Sequence, residues 1–389
     1  IMDSLEDLLK SVLPTQKKVK KPSRENDIHH LIKGKYLDKA KTVFRVRKRH
    51  SNITKETLPD LVLSYFDIFE FDFAKTLFID TETTGLAGGT GTIAFLIGLG
   101  YFDRNDFILE QYFLKELASE SILLETINDI FSNYKYFVSF NGKSFDIPLI
   151  RTRFIMNEIK TKLINKPNLD LLHLSRRLWS NVLPSCALQD LEREVLACYR
   201  DGSSDIPGQQ IPFEYSNYLE TRDADNMVKV IYHNQQDIIN MLYLLNKISS
   251  LLKEPLETIT NYRISLSGIG KLYEQYGNLS NAEKYYLKVL EEYPNHTRVN
   301  RQISFLYKRM KNWLKAVKIW EKEAEKSKLY ALIELAKWEE HHTKVYEKAL
   351  DYTKQALKLV KTHYLVDYNQ IEKLEHRKKR LKRKLASKS

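Results

Sequence analysis

Apolar and polar positions change their rhythm several times along this 389-residue chain, and each change predicts a different kind of element. Leu5, Leu8, Leu9 and Leu13 recur at helical spacing, which predicts a short helix over residues 2–13. "PTQKKVKKPSREN" follows, a basic, proline-bounded linker. Alternation in "KTVFRVRKRH" predicts an edge strand or one arm of a hairpin. From residue 74 strands and helices alternate. "TLFID", "IAFLIGLGYF" and "FILEQYFL" are apolar runs of strand length, and the turn "DRND" between the last two makes an antiparallel meander. "ESILLETINDIFSNY" has helical period, and "YFVSF" is a fourth strand that ends in "NGKSFD". "FDIPLIRTRFIMNEI", "LDLLHLSRRLW" and "CALQDLEREVLAC" read as helices. A loop containing "DIPGQQIP" precedes a long helix from about Asn226 to Leu252. The order predicts an α/β domain over residues 74–252, a mixed sheet with flanking helices.

Beyond about residue 260 the strands stop and a repeat begins. Gly270, Tyr273, Gly277, Ala282, Tyr286 and Pro294 have the spacing of a tetratricopeptide repeat. Ala316 lies 34 residues after Ala282, and Ala349 lies 33 after Ala316. Residues 260–365 therefore resemble an all-α array of tetratricopeptide-like helix pairs, a surface that in such repeats takes a protein partner. Residues 366–389 read as a basic helix that frays into solvent, and residues 1–73 as a separate leading segment.

Charge modifies this picture. The net charge of +12 and pI near 9.2 suggest an acidic partner such as nucleic acid. Much of the excess is local, since residues 372–389 hold nine Lys or Arg against Glu372 and Glu375. Cys186 and Cys198 are too few for a disulfide framework and have no partners at zinc-ligand spacing, so they read as core thiols on a helical segment. No apolar run approaches the ~18 residues of a membrane span, and a soluble, cytoplasmic protein is expected.

The chemistry begins at "LFIDTETTGLAGGTGT". Asp80 and Glu82 are one residue apart on a strand, so both project from the same face. Two carboxylates aimed at one place repel unless a cation holds them, and Mg²⁺ or Mn²⁺ suits such oxygen ligands. Asp146, after the fourth strand, taken alone would serve as a helix N-cap. Asp237 and His233 are four apart on the long helix and share a face.

In the order D-x-E, D, H-x-x-x-D, these residues resemble the DEDD (DnaQ-like) exonucleases of the ribonuclease-H-like superfamily. "FIDTETTGL…GTIAFLIGLGYF", "SFNGKSFDIPLIRTRF", "LDLLHLSRRLW", "LQDLEREVLACYR…DIPG" and "YHNQQDI" resemble its YprB-like branch of predicted 3′–5′ exonucleases. The resemblance implies that Asp80, Glu82, Asp146 and Asp237 bind two divalent cations. It also implies that a His or Tyr near the last Asp orients the attacking water. Such a His usually stands five residues before that Asp and such a Tyr four before; here Tyr232 and His233 have exchanged places. His233 is preferred because it is one helical turn from Asp237. Thr83, Asn141 and Lys143 are candidates for contact with a single-stranded RNA or DNA 3′ end. Phe140 and Phe145 could stack on a terminal base, although they equally suit core packing.

Two other function classes are open to the residues. One is a scaffold that binds nucleic acid or protein through the repeats and basic tail with little catalysis. The other is a nucleotide site on the glycine loop. Gly85, Gly88, Gly89 and Gly91 fit neither the dinucleotide fingerprint nor a phosphate loop, and a strand follows them, so they read as a tight connection.

Overall fold

The structure is a computed structural model that describes residues 26–85, 89–161, 163, 166–362 and 367–387. The expected helix over residues 2–13 and nearly all of the basic linker lie outside the described residues. Contacts divide the chain into two units. One holds the chain up to Arg176 together with Leu183–Pro255; the other holds Arg177–Val182 and everything from Leu256 onward.

The first unit is built on a seven-stranded sheet: β1 (Gly34–Tyr36), β2 (Val43–His50), β3 (Thr76–Thr83), β4 (Ala94–Asp103), β5 (Asp106–Leu114), β6 (Tyr136–Ser139) and β7 (Asn168–Asp170), in the order β1-β2-β5-β4-β3-β6-β7. The expected meander is present: β3 pairs antiparallel with β4, and β4 with β5 through a turn in which Arg104 takes positive φ. β6 pairs parallel with β3, and β7 parallel with β6, so the sheet is mixed. "KTVFRVRKRH" is the arm of a hairpin with β1 and not an edge strand. It forms β2, paired with β1 on one side and over its full length with β5 on the other, so the sheet reaches well before residue 74. β7 takes Leu169 and Asp170, which by periodicity belong to the start of the helix "LDLLHLSRRLW"; three residues are too few to show a period of two.

Among the described residues, the longer helices here are α1 (Glu120–Ser132), α2 (Asp146–Met156), α4 (Ile211–Thr221) and α5 (Asp225–Leu251), with α3 (Leu171–Trp179) belonging to this unit up to Arg176. α4 is a helix that the loop signal of "DIPGQQIP" does not announce, because Pro212 and the preceding polar run hide its short apolar face. The segment "CALQDLEREVLAC" is helical only from Leu188 to Leu196, and both cysteines fall outside it, half-buried and free. β4 is buried almost throughout because the sheet is covered on both faces, the condition under which strands read as continuous apolar runs.

The second unit is helical. Its longer helices are α6 (Leu266–Tyr276), α7 (Leu279–Glu292), α8 (Thr297–Arg309), α9 (Trp313–Glu325), α10 (Leu329–Trp338), α11 (Tyr346–Thr362) and α12 (Tyr368–Ala386). Ala282, Ala316 and Ala349 each occupy the fourth position of α7, α9 and α11, and each is fully buried. α12 corrects the expectation of a fraying tail. Leu374 and Leu381 are buried, and Glu340, with no exposed side-chain surface, receives Arg377, Arg380 and Lys384 at 2.6–2.9 Å.

Candidate active site

The site forms where β3 and β6 end and α5 crosses the sheet. Strand alternation sends Asp80 and Glu82 to the face covered by α5, and Thr81 and Thr83 to the other. α5 can lie this close because Gly98, opposite Asp80 in β4, has no side chain; a Cβ there would collide with Asn234 and Ile238. Asn234 closes the contact. Its amide donates to Asp80 Oδ2 at 2.7 Å, while Gln111 on β5 donates to the Asn234 oxygen at 2.9 Å. A register shift between Glu82 and Thr83 marks a bulge at the end of the strand, a device that re-aims side chains.

Asp146 reaches the site from the start of α2. It is the first helical residue rather than the N-cap, and its carboxylate accepts from Thr81 Oγ1. Asp170 at the end of β7 holds the turn before it, accepting from the backbone N–H groups of Asn141 (2.8 Å) and Lys143 (3.0 Å). The Asn141 and Lys143 side chains are exposed, and Lys143 borders a cleft of about 480 Å³ with Phe66, Ile147, Arg151 and Lys166; no member of the acidic set lines it. Thr83 donates its hydroxyl to Gly85 O. Phe140 and Phe145 are half-buried.

On α5, His233 and Asp237 stand one turn apart, with His233 Nε2 3.6 Å from Asp237 Oδ2. Glu82, His233 and Asp237 offer ligand atoms within 4.8 Å of one another. Tyr232 is displaced about 140° around the helix from Asp237 and enters none of these contacts. Arg200 brings a cation to the group: its guanidinium bonds Asp237 Oδ1 and grips Glu192 through Nε at 2.6 Å and Nη2 at 2.5 Å.

Electrostatics show what the cluster lacks. Burial, then the charges of Asp237, Glu82 and Asp146, raise the pKa of Asp80 well above the carboxylate range. Burial and the charges of Asp237 and Asp146 do the same to Glu82, with Arg200 opposing. Burial carries Asp146 up to about 6 against the hydrogen bond from Thr81. Among the described residues, the Arg200 guanidinium faces this group, and the charges of Asp80, Glu82 and Asp146 oppose one another. An oxygen-rich donor set with one imidazole, short of positive charge, fits a divalent cation such as Mg²⁺ or Mn²⁺.

Comparison with known proteins agrees with this geometry. A protein of Bacillus subtilis described as uncharacterized protein YprB is 31% identical over 321 residues, covering 80% of this chain and 75% of the relative. The chain belongs to the YprB family. Residues 77–249, from β3 nearly to the end of α5, match the RNase_H superfamily, the stretch that holds the acidic cluster. A family B DNA polymerase of Pyrobaculum calidifontis is 14% identical with a TM-score of 0.35, covering 51% of this chain; the chain spans 28% of the polymerase's length.

Arg200, Asp205 and Asn234 had no role assigned from sequence. Arg200 and Asp205 lie within the segments "LACYR" and "DIPG" that carry the resemblance, but Asp237 and His233, the partners that tie them to the site, come from α5, more than two dozen residues further on.

Proposed function

We propose that the protein is a metal-dependent nuclease of the DEDD type, a 3′–5′ exonuclease acting on single-stranded ends of RNA or DNA. The observation that carries the reading is the gathering of Asp80, Glu82, Asp146 and Asp237, where burial and neighbouring carboxylates raise the proton affinity of Asp80 and Glu82 and burial raises that of Asp146. In this reading those four residues hold two divalent cations, which when bound activate a water and neutralise charge on the phosphate.

The chain's own groups prepare the centre. β3 presents Asp80 and Glu82 together, and Asn234 fixes Asp80. Arg200 occupies Asp237 Oδ1, leaving Oδ2 turned toward His233. His233 is assigned the proton from the attacking water, since its Nε2 faces the carboxylates and Tyr232 does not. Thr83, Asn141 and Lys143 are assigned to the substrate strand. The helical unit is proposed to be a tetratricopeptide-like array, on the buried alanines repeating at one position of α7, α9 and α11, with a protein partner as its occupant.

The test is degradation of 5′-labelled single-stranded RNA and DNA with Mg²⁺ or Mn²⁺ and with a chelator. Stepwise shortening from the 3′ end that the chelator stops is expected. Salt-sensitive binding without turnover would instead favour a nucleic-acid-binding scaffold.

A further inference from the structure

The loop after Arg200 brings a second carboxylate to His233, on the side away from the acidic cluster. Asp205 Oδ1 lies 2.8 Å from His233 Nδ1, and Arg200 Nη1 lies 3.4 Å from the same nitrogen. The two contacts require opposite imidazole tautomers. A carboxylate only accepts, so Asp205 needs a proton on Nδ1; a guanidinium only donates, so Arg200 needs a lone pair there.

Distance and the other partners decide between them. Arg200 already meets Glu192 with Nε and Nη2, Asp237 with Nη2, and Asp205 Oδ2 at 3.6 Å with Nη1. Its donors are committed to carboxylates, which bind a guanidinium better than a neutral imidazole does. A carboxylate oxygen and a nitrogen lone pair at 2.8 Å with no proton between them would repel. The imidazole, 8% exposed in its side chain, also has Gly208 beside Nε2, where even a Cβ would stand 3.8 Å away.

We propose that Asp205 is a positioning residue that holds His233 as the Nδ1–H tautomer and turns the Nε2 lone pair toward Asp237 and Glu82. In that tautomer Nε2 accepts; in the other it would carry a hydrogen, donate to Asp237, and have nothing with which to take a proton. Arg200 completes the arrangement by bridging the carboxylates on either side of the ring, Asp205 at Nδ1 and Asp237 at Nε2. The catalytic consequence rests on the nuclease reading; the tautomer does not.

Long-range ¹H–¹⁵N correlation spectra of protein labelled with ¹⁵N-histidine read the tautomer directly. They are recorded without metal or substrate in alkaline buffer, at a pH above which the His233 signals no longer move, with His233 assigned by its loss in His233→Gln. The wild type should show Nδ1 protonated and Nε2 bare. Asp205→Ala should move His233 toward Nε2–H, and Asp205→Asn, whose amide oxygen still accepts, should keep Nδ1–H. A wild-type Nε2–H spectrum, or an Asp205→Ala spectrum unchanged from wild type, overturns the proposal. If the alanine variant does not fold, the wild-type and asparagine spectra still decide. On hydrolysis, Asp205→Ala should lower kcat about 10- to 100-fold with KM within about twofold, and Asp205→Asn should recover most of it. An unchanged kcat counts against the proposal. The expected tautomer in a protein that cleaves nothing counts only against the nuclease reading.

Discussion

Two acidic sites in this chain are built in opposite ways. In the helical unit, Glu340 is buried but meets Arg377, Arg380 and Lys384. Burial pushes its pKa up, yet the hydrogen bonds from Arg380 and Lys384 and the charge of Arg377 bring it down to about 2. In the α/β unit, the Arg200 guanidinium pairs with Asp237, and Asp80, Glu82 and Asp146 are pushed up instead. The first site is complete within the protein and fastens α12. The second holds carboxylates that repel one another, a repulsion that a bound cation relieves in the nuclease proposed above. A buried carboxylate points to function when its charge is unmatched, and to architecture when the fold supplies the match.

The largest effect should fall on turnover. Asp80→Asn or Asp146→Asn is expected to abolish metal-dependent hydrolysis of labelled strands, while Glu340→Gln leaves the chemical step intact in single-turnover assays at a temperature where the variant is folded. Full activity in both aspartate variants would remove the basis of the comparison. Stability should move the other way: Asp80→Asn relieves repulsion and raises the melting temperature of metal-free protein near pH 7.5.

Next in size is Glu340→Gln, which strands three cations around a neutral side chain. A loss of about 3–5 kcal/mol is expected in urea unfolding of the helical unit, with faster hydrogen exchange across α12. An unchanged midpoint would mean that the buried pairs do not fasten it.

A smaller effect separates the sites by pH. Asp80, Glu82 and Asp146 bind protons more tightly folded than unfolded, so the stability they contribute is full below the ordinary carboxylate range. It is lost as pH rises through their raised values, about 6 for Asp146. A cation replaces the missing proton, so Mg²⁺ or Mn²⁺ should raise the melting temperature more at pH 7.5 than at pH 5, approaching about 2.7 kcal/mol at 100 times Kd. Equal increments at both values would contradict the reading. Glu340 has the opposite sign: its contribution is present above its unfolded value of 4.5 and is lost as pH falls toward 2. The smallest change is expected at exposed Lys379 on α12, where Ala should alter stability by no more than about 0.5 kcal/mol.

Parts of the site were legible because local periodicity carries them. Asp80 and Glu82 share a face by the two-residue repeat of a strand, and His233 and Asp237 by one turn of helix. Asp146 has no such local signal; alone it read as an N-cap, and only the four-acid pattern connected it to the others. Asn234 was invisible for another reason. An amide in the middle of a helix looks like any polar position until the fold sets it against Asp80, 154 residues away. Edge and interior were likewise hidden in β2, because alternation reports which face a residue takes but not which strand lies alongside.

The sequence by itself determined the meander, the long helix, the repeating alanines and the acids that could share a face, since each follows from spacing within one element. Tertiary structure decided which charges meet. It gave Glu340 its cations from α12, set Arg200 against Asp237, and set Asp205 behind His233. Those outcomes depend on long-range packing, and burial then turns ordinary surface acids into a fastening in one place and a cation-seeking centre in the other.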